Sequence, residues 1–191
     1  MKQKILFVSS CVLNTAAKVV MYNKEQMAAE ESLRKRFLHQ AVDAGIQLVQ
    51  LPCPEFTLYG SRRWGHTKSQ FNNPFFRAHC KKQLEPIFME LEEYLSDPER
   101  FEILGFVGID GSPSCGVDYT GQGPSGGSLR GRDDLDEVIA KGHLAKEPGV
   151  LFDVIGEMLA ERGMDIKLTG LFAPEEEKVL SLIGSEPSES A

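Results

Sequence analysis

Four short apolar runs, spaced by long segments of helical periodicity, constrain the fold of this chain more than any other feature. Residues 4–8 (KILFV), 46–51 (IQLVQL), 101–109 (FEILGFVGI) and 166–172 (IKLTGLF) each give way to Gly, Pro, Ser or Cys. Continuous apolar runs of this length are what a parallel sheet buried on both faces requires. Between the first two runs, Asn23 reads as a helix N-cap and Gly45 as its stop, with Leu33, Phe37, Leu38, Ala41 and Val42 on one face. Asn73 and Pro74 open a second helix whose Phe76, Cys80, Leu84, Ile87, Leu91 and Leu95 recur every three or four residues, and Pro86 is expected to kink it. A third helix is expected over 149–163, with Val150, Leu151, Val154, Ile155, Met158 and Leu159 as its buried stripe.

Alternation of strand and helix predicts an α/β, Rossmann-like three-layer domain around a central, mostly parallel sheet; if its order is 2-1-3-4, Cys11 sits between the other two strand-end cysteines. The length of 191 residues suits one such domain over 1–183, and the polar tail 184–191 (GSEPSESA) is expected to fray. No internal repeat is present. Residues 111–132 carry seven glycines and two prolines without periodicity, as a lid or binding loop does. Within it, 121–127 (GQGPSGG) lacks the Gly-Lys-Ser/Thr of a phosphate loop.

A net charge of −7 argues against general binding to nucleic-acid backbone or anionic membrane, so a small ligand is expected. The apolar run near the N-terminus is too short for a signal-peptide core or a membrane span, which predicts a cytoplasmic protein. In a reducing compartment its four cysteines are expected to be free thiols, metal ligands or catalytic groups rather than disulfides.

Three of them stand just beyond apolar runs: Cys11 after the first, Cys53 after the second, Cys115 in the turn GSPSCG after the third. In a parallel sheet these C-terminal strand ends share one edge, strands lie about 4.8 Å apart, and ligands bind there. Convergence on a metal and three buried structural thiols both account for the pattern, because cysteine is among the most buried residue types and no C-x-x-C is present. Cys80 sits in a helical stripe and reads as core.

Glu55, two residues past Cys53 on a chain stiffened by Pro52 and Pro54, is placed to act as a general acid or base. Its alternative is an exposed loop carboxylate. Ser112 and Ser114 offer hydroxyls on a tight turn, which also favours Ser for its own reasons. Arg62, Arg63, Trp64 and His66 offer charge and stacking to a planar or anionic substrate, though an ordinary surface loop explains them too. The same holds for Arg130 and Arg132 beside the glycine-rich loop.

Three motifs together carry a resemblance: SSCVLN around Cys11, CPE at 53–55 and SPSCG at 112–116. In this order the chain resembles the thiouracil desulfidase (TudS-like) family. It departs from the better-known members at 13–20 (LNTAAKVV) and 60–69 (GSRRWGHTKS), which marks a divergent subgroup whose substrate need not be thiouracil. The resemblance implies a 4Fe-4S cluster held by Cys11, Cys53 and Cys115 with one iron open. It implies a non-redox desulfidase that removes sulfur from a small thiolated compound, with Glu55 activating water and Ser112 orienting water or shuttling a proton. Ser114, Arg62 and Trp64 are expected at the substrate. Two alternatives need no organic substrate: a module that carries sulfide or a cluster, and a zinc site completing three thiolates with His66 or His79.

Overall fold

The computed structural model describes residues 2–124 and 126–184, so the expectation of a frayed tail falls, but for Gly184, outside the described residues. The four apolar runs become β1 (Gln3–Val8), β2 (Gln47–Gln50), β3 (Phe101–Ile109) and β6 (Leu168–Leu171), all parallel, in the order β2-β1-β3-β6. Each lies within two residues of its predicted bounds. The first strand is central, with the second and third on either side.

The long helices form where the caps predict. In α2 (Lys24–Asp43) the Asn23 side chain accepts from the Gln26 N–H, and in α5 (Pro74–Ser96) Asn73 accepts from Phe75 and Phe76, satisfying N–H groups that have no partner inside the helix. The helix continues through Pro86 to Ser96. The third, α7 (Val150–Glu161), buries the whole predicted stripe. Val42 and Leu95 instead are exposed, at 66% and 39%, each in the last turn of its helix.

Alternate residues of the central strands feed two cores. Ile5, Phe7 and Phe106 pack with α5 and α7, while Leu6, Val8, Val107 and Leu171 pack with Leu33, Phe37 and Ala41 of α2 and with Val179 of α8 (Glu177–Leu180). The result is helix, sheet, helix: a Rossmann-like three-layer α/β fold. Between Ile5 and Leu6 the register against β3 shifts, leaving Leu104 as the extra residue. Gly105 follows it at φ +141°, and a side chain there would run into the Lys167 carbonyl.

The glycine-rich segment is not the continuous loop expected. Thr120–Gln122 forms β4, antiparallel to β5 (His143–Ala145), with α6 (Leu135–Ala140) between them. Three-residue strands are too short to show alternation in sequence. Among the described residues no helix is long and apolar enough to cross a membrane.

Candidate active site at the strand ends

Parallel register places the ends of β1, β2, β3 and β6 at one edge, since Val8 pairs with Gln50 and Val107, and Ile109 with Leu171. A cleft of about 840 Å³ opens over this edge, and Cys11, Cys53, Cys115, Glu55, Ser112 and Ser114 all line it. Six of the eight side chains expected at the site therefore meet. Arg62 and Trp64 do not: both are exposed, Trp64 at 78%, and neither borders the cleft. Their neighbour Arg63 turns inward instead. In an aperiodic loop the direction of adjacent side chains leaves no trace in sequence.

Each cysteine is delivered by a different local structure. Cys11 lies in α1 (Ser10–Leu13), a single turn that begins as β1 ends. Cys53 is the N-cap of α3 (Pro54–Tyr59), where its Sγ accepts from the Phe56 N–H at 3.4 Å and Pro54 occupies the first turn, a position that needs no N–H. Cys115 sits in a turn locked onto the start of α7: the N–H groups of Val150 and Leu151 donate to the carbonyls of Pro113 and Ser114 at 3.1 and 2.9 Å. Gly149 makes this docking possible, because a Cβ there would lie 2.6 Å from the Ser114 backbone.

The thiols feel one another. A hydrogen bond from Cys11 holds Cys53 below the ordinary thiol value, helped by the Phe56 N–H against the opposing cost of burial. Cys11 is pushed well above the ordinary thiol range, first by that shared proton and then by burial, with Cys115 adding to the effect. Burial pushes Cys115 up to about 12, with further contributions from Cys53 and Glu55. Cys80, the core cysteine, is fully buried in the α5 face and is likewise pushed up to about 12 by burial.

Glu55 is not an exposed loop carboxylate. Only 6% exposed, it sits in the first turn of α3, and its two oxygens have different partners. Oε1 accepts from Ser114 Oγ at 2.5 Å, and Oε2 pairs with Arg63 Nε at 3.0 Å. The Arg63 and Glu55 side chains are 3% and 9% exposed, so removing one partner of this buried pair is expected to cost about 3–5 kcal/mol. Ser114 Oγ also stands 3.4 Å from Cys115 Sγ and from Ser112 Oγ. Ser112 Oγ faces its own backbone, accepting from the Cys115 N–H at 3.0 Å. The serine touching the carboxylate is thus Ser114, whereas Ser112 shapes the turn.

Asp110, at the end of β3, was missed in sequence. Its Oδ1 accepts from the N–H groups of Val117, Asp118 and Tyr119 at 2.7, 2.9 and 3.2 Å, clamping the chain that leaves the cysteine turn. Its Oδ2, beside Gly170, is buried without a hydrogen-bond partner among the described residues, and burial raises its pKa. An acidic residue closing an apolar run was the available signal.

The donor set is three thiols from three separate segments, the soft chemistry that iron–sulfur groups and zinc take. Among the described residues no three His, Cys, Asp or Glu side chains are grouped to hold a metal ion, and neither His66 nor His79 completes such a group. His66 stacks on Phe71 and Tyr59, and His79 Nε2 contacts Thr57 Oγ1 at 3.0 Å. Arg130 and Arg132 stay outside the cleft lining, with Arg132 paired to Asp134.

No family model and no solved structure matches the chain. It is similar to the Uncharacterized protein MJ0003 of Methanocaldococcus jannaschii, with 40% identity over 70 residues. That stretch covers 37% of this chain and 43% of that protein, so the match spans less than half of either.

Proposed function

We propose that the chain is a non-redox desulfidase that replaces sulfur by oxygen in a small thiolated compound, a thio-base or thioamide, using a 4Fe-4S cluster held by Cys11, Cys53 and Cys115. The observation that carries this reading is a buried, doubly bonded carboxylate, Glu55, on the wall of the same cleft as the three thiols. The three-motif resemblance to the thiouracil desulfidase family points the same way. When bound, a cluster with three protein ligands keeps one iron open, a Lewis acid suited to a soft thiocarbonyl sulfur.

The chain's own residues then have distinct tasks. Each oxygen of Glu55 uses one lone pair on Ser114 or Arg63 and keeps one free, so the carboxylate can accept a proton from a water in the cleft. The water oxygen bonds to the thiocarbonyl carbon, the carbon–sulfur bond breaks, and sulfur departs as hydrosulfide. One water is consumed and no electron is exchanged with an outside donor. Ser114 fixes the carboxylate on one side and Arg63 on the other, which keeps the base in one orientation.

Anaerobic purification followed by iron and sulfide analysis is the first test, and a brown protein with broad absorption near 400 nm is expected. It should release hydrosulfide from some member of a panel of thio-bases and thioamides. Glu55→Gln should retain its iron and lose turnover about 100-fold or more. A colourless, iron-free protein, or full turnover by that variant, would contradict the proposal.

A further inference from the structure

We infer that Arg63 is a positioning residue that orients Glu55 and ties it to the wall of the cleft next to Cys11; this rests on the proposed desulfidase reading. Its guanidinium makes three contacts, two with α3 and its C-cap and one with the segment that follows α1. Nε donates to Glu55 Oε2 at 3.0 Å, one terminal nitrogen donates to the Gly60 carbonyl at 3.3 Å, and the other donates to the Ala17 carbonyl at 2.8 Å. Ala17 ends a 3-10 turn (Thr15–Ala17) that follows α1, the turn bearing Cys11. The next residues, Lys18, Val19 and Met21, line the cleft, and Lys18 pairs with Glu30, which lines it too.

The side chain is 3% exposed, so it holds a charge away from water, and each of its three nitrogens donates to a protein acceptor. Such a site suits a planar fork with five fixed donors and not the single flexible ammonium of lysine. One residue thereby links the base, the segment after α3 and the wall beside Cys11. Loss of the Ala17 carbonyl would remove one of the three acceptors that fix the guanidinium, and with it the tie between Glu55 and the wall beside Cys11.

Arg63→Lys keeps the charge and Arg63→Ala opens a space that free guanidinium can enter. Both are assayed for hydrosulfide release from the thio-base and thioamide panel, with iron content and thermal midpoint measured beside it. Arg63→Lys is expected to keep its iron, to lower kcat about 100-fold, as a misplaced catalytic group does, and to leave KM nearly unchanged. Added guanidinium is expected to restore part of the turnover of Arg63→Ala. Wild-type kcat in Arg63→Lys, or no response of Arg63→Ala to guanidinium, would overturn the assignment.

If the iron-loaded wild-type chain turns over no compound of the panel, the desulfidase reading fails, and the strut is judged separately by amide hydrogen exchange. Exchange over residues 14–20 should then quicken about tenfold in Arg63→Lys, because the Ala17 carbonyl loses its partner. Unchanged exchange there would overturn the strut itself.

Discussion

Ser114 Oγ donates to Glu55 Oε1 across 2.5 Å, bridging the turn that follows β3 and the helix that follows β2. These residues are 59 positions apart in sequence. The contact joins the Cys115 turn to the Cys53 helix through a hydroxyl and a carboxylate, both buried.

The two serines of the turn should therefore fail in different ways. Ser114→Ala removes a hydrogen bond from a buried carboxylate, and hydrosulfide release is expected to fall about tenfold with the fold intact. Ser112→Ala removes the acceptor for the Cys115 N–H and is expected to cost about 1 kcal/mol, seen as a drop of roughly 2–4 °C in thermal midpoint. Steady-state kinetics and thermal unfolding of both variants check this; equal effects on both readouts would argue against separate roles.

Cys115 and Cys80 are both buried thiols pushed up to about 12 by burial, yet only Cys115 borders the cleft. Cys115→Ala is expected to abolish bound iron measured after anaerobic purification. Cys80→Ala should retain the iron of the wild type and lose about 1 kcal/mol from the small void left against Phe76 and Leu84. Iron lost from both variants, or from neither, would remove the distinction.

The orphaned Oδ2 of Asp110 makes stability depend on pH. Burial raises this carboxyl's folded pKa, so its protonated form is the stabilising one. That contribution is complete below the unfolded value of about 3.9 and is lost as pH rises through the higher folded value. Asp110→Asn keeps an oxygen acceptor for the three N–H groups without the charge. Lowering the pH from 7 through that window should therefore favour the wild type over Asp110→Asn in urea unfolding. A difference that stays constant with pH would show that the carboxylate is not penalised by burial.

Local patterns sufficed for the scaffold. An apolar run of four or more residues and a stripe recurring every three or four dictate strand and helix by periodicity alone, and Asn23 and Asn73 mark helix starts by the hydrogen bonds their side chains make. Once the four strands are parallel, the positions of Cys11, Cys53 and Cys115 at one edge follow from their places after those strands. The short elements β4, β5 and α6 were illegible because three to six residues give no period to read.

What the amino-acid order did not decide is which side chain faces which. Arg62, Arg63 and Trp64 are adjacent and chemically eligible, and only the packed chain turns Arg63 toward Glu55 while leaving the other two in water. Ser112 and Ser114 are likewise alike in sequence, and the docking of their turn on α7 sends one hydroxyl to its own backbone and the other to Glu55. Periodicity is a property of neighbours along the chain, whereas these choices depend on acceptors contributed by segments tens of residues away, which exist in place only after folding.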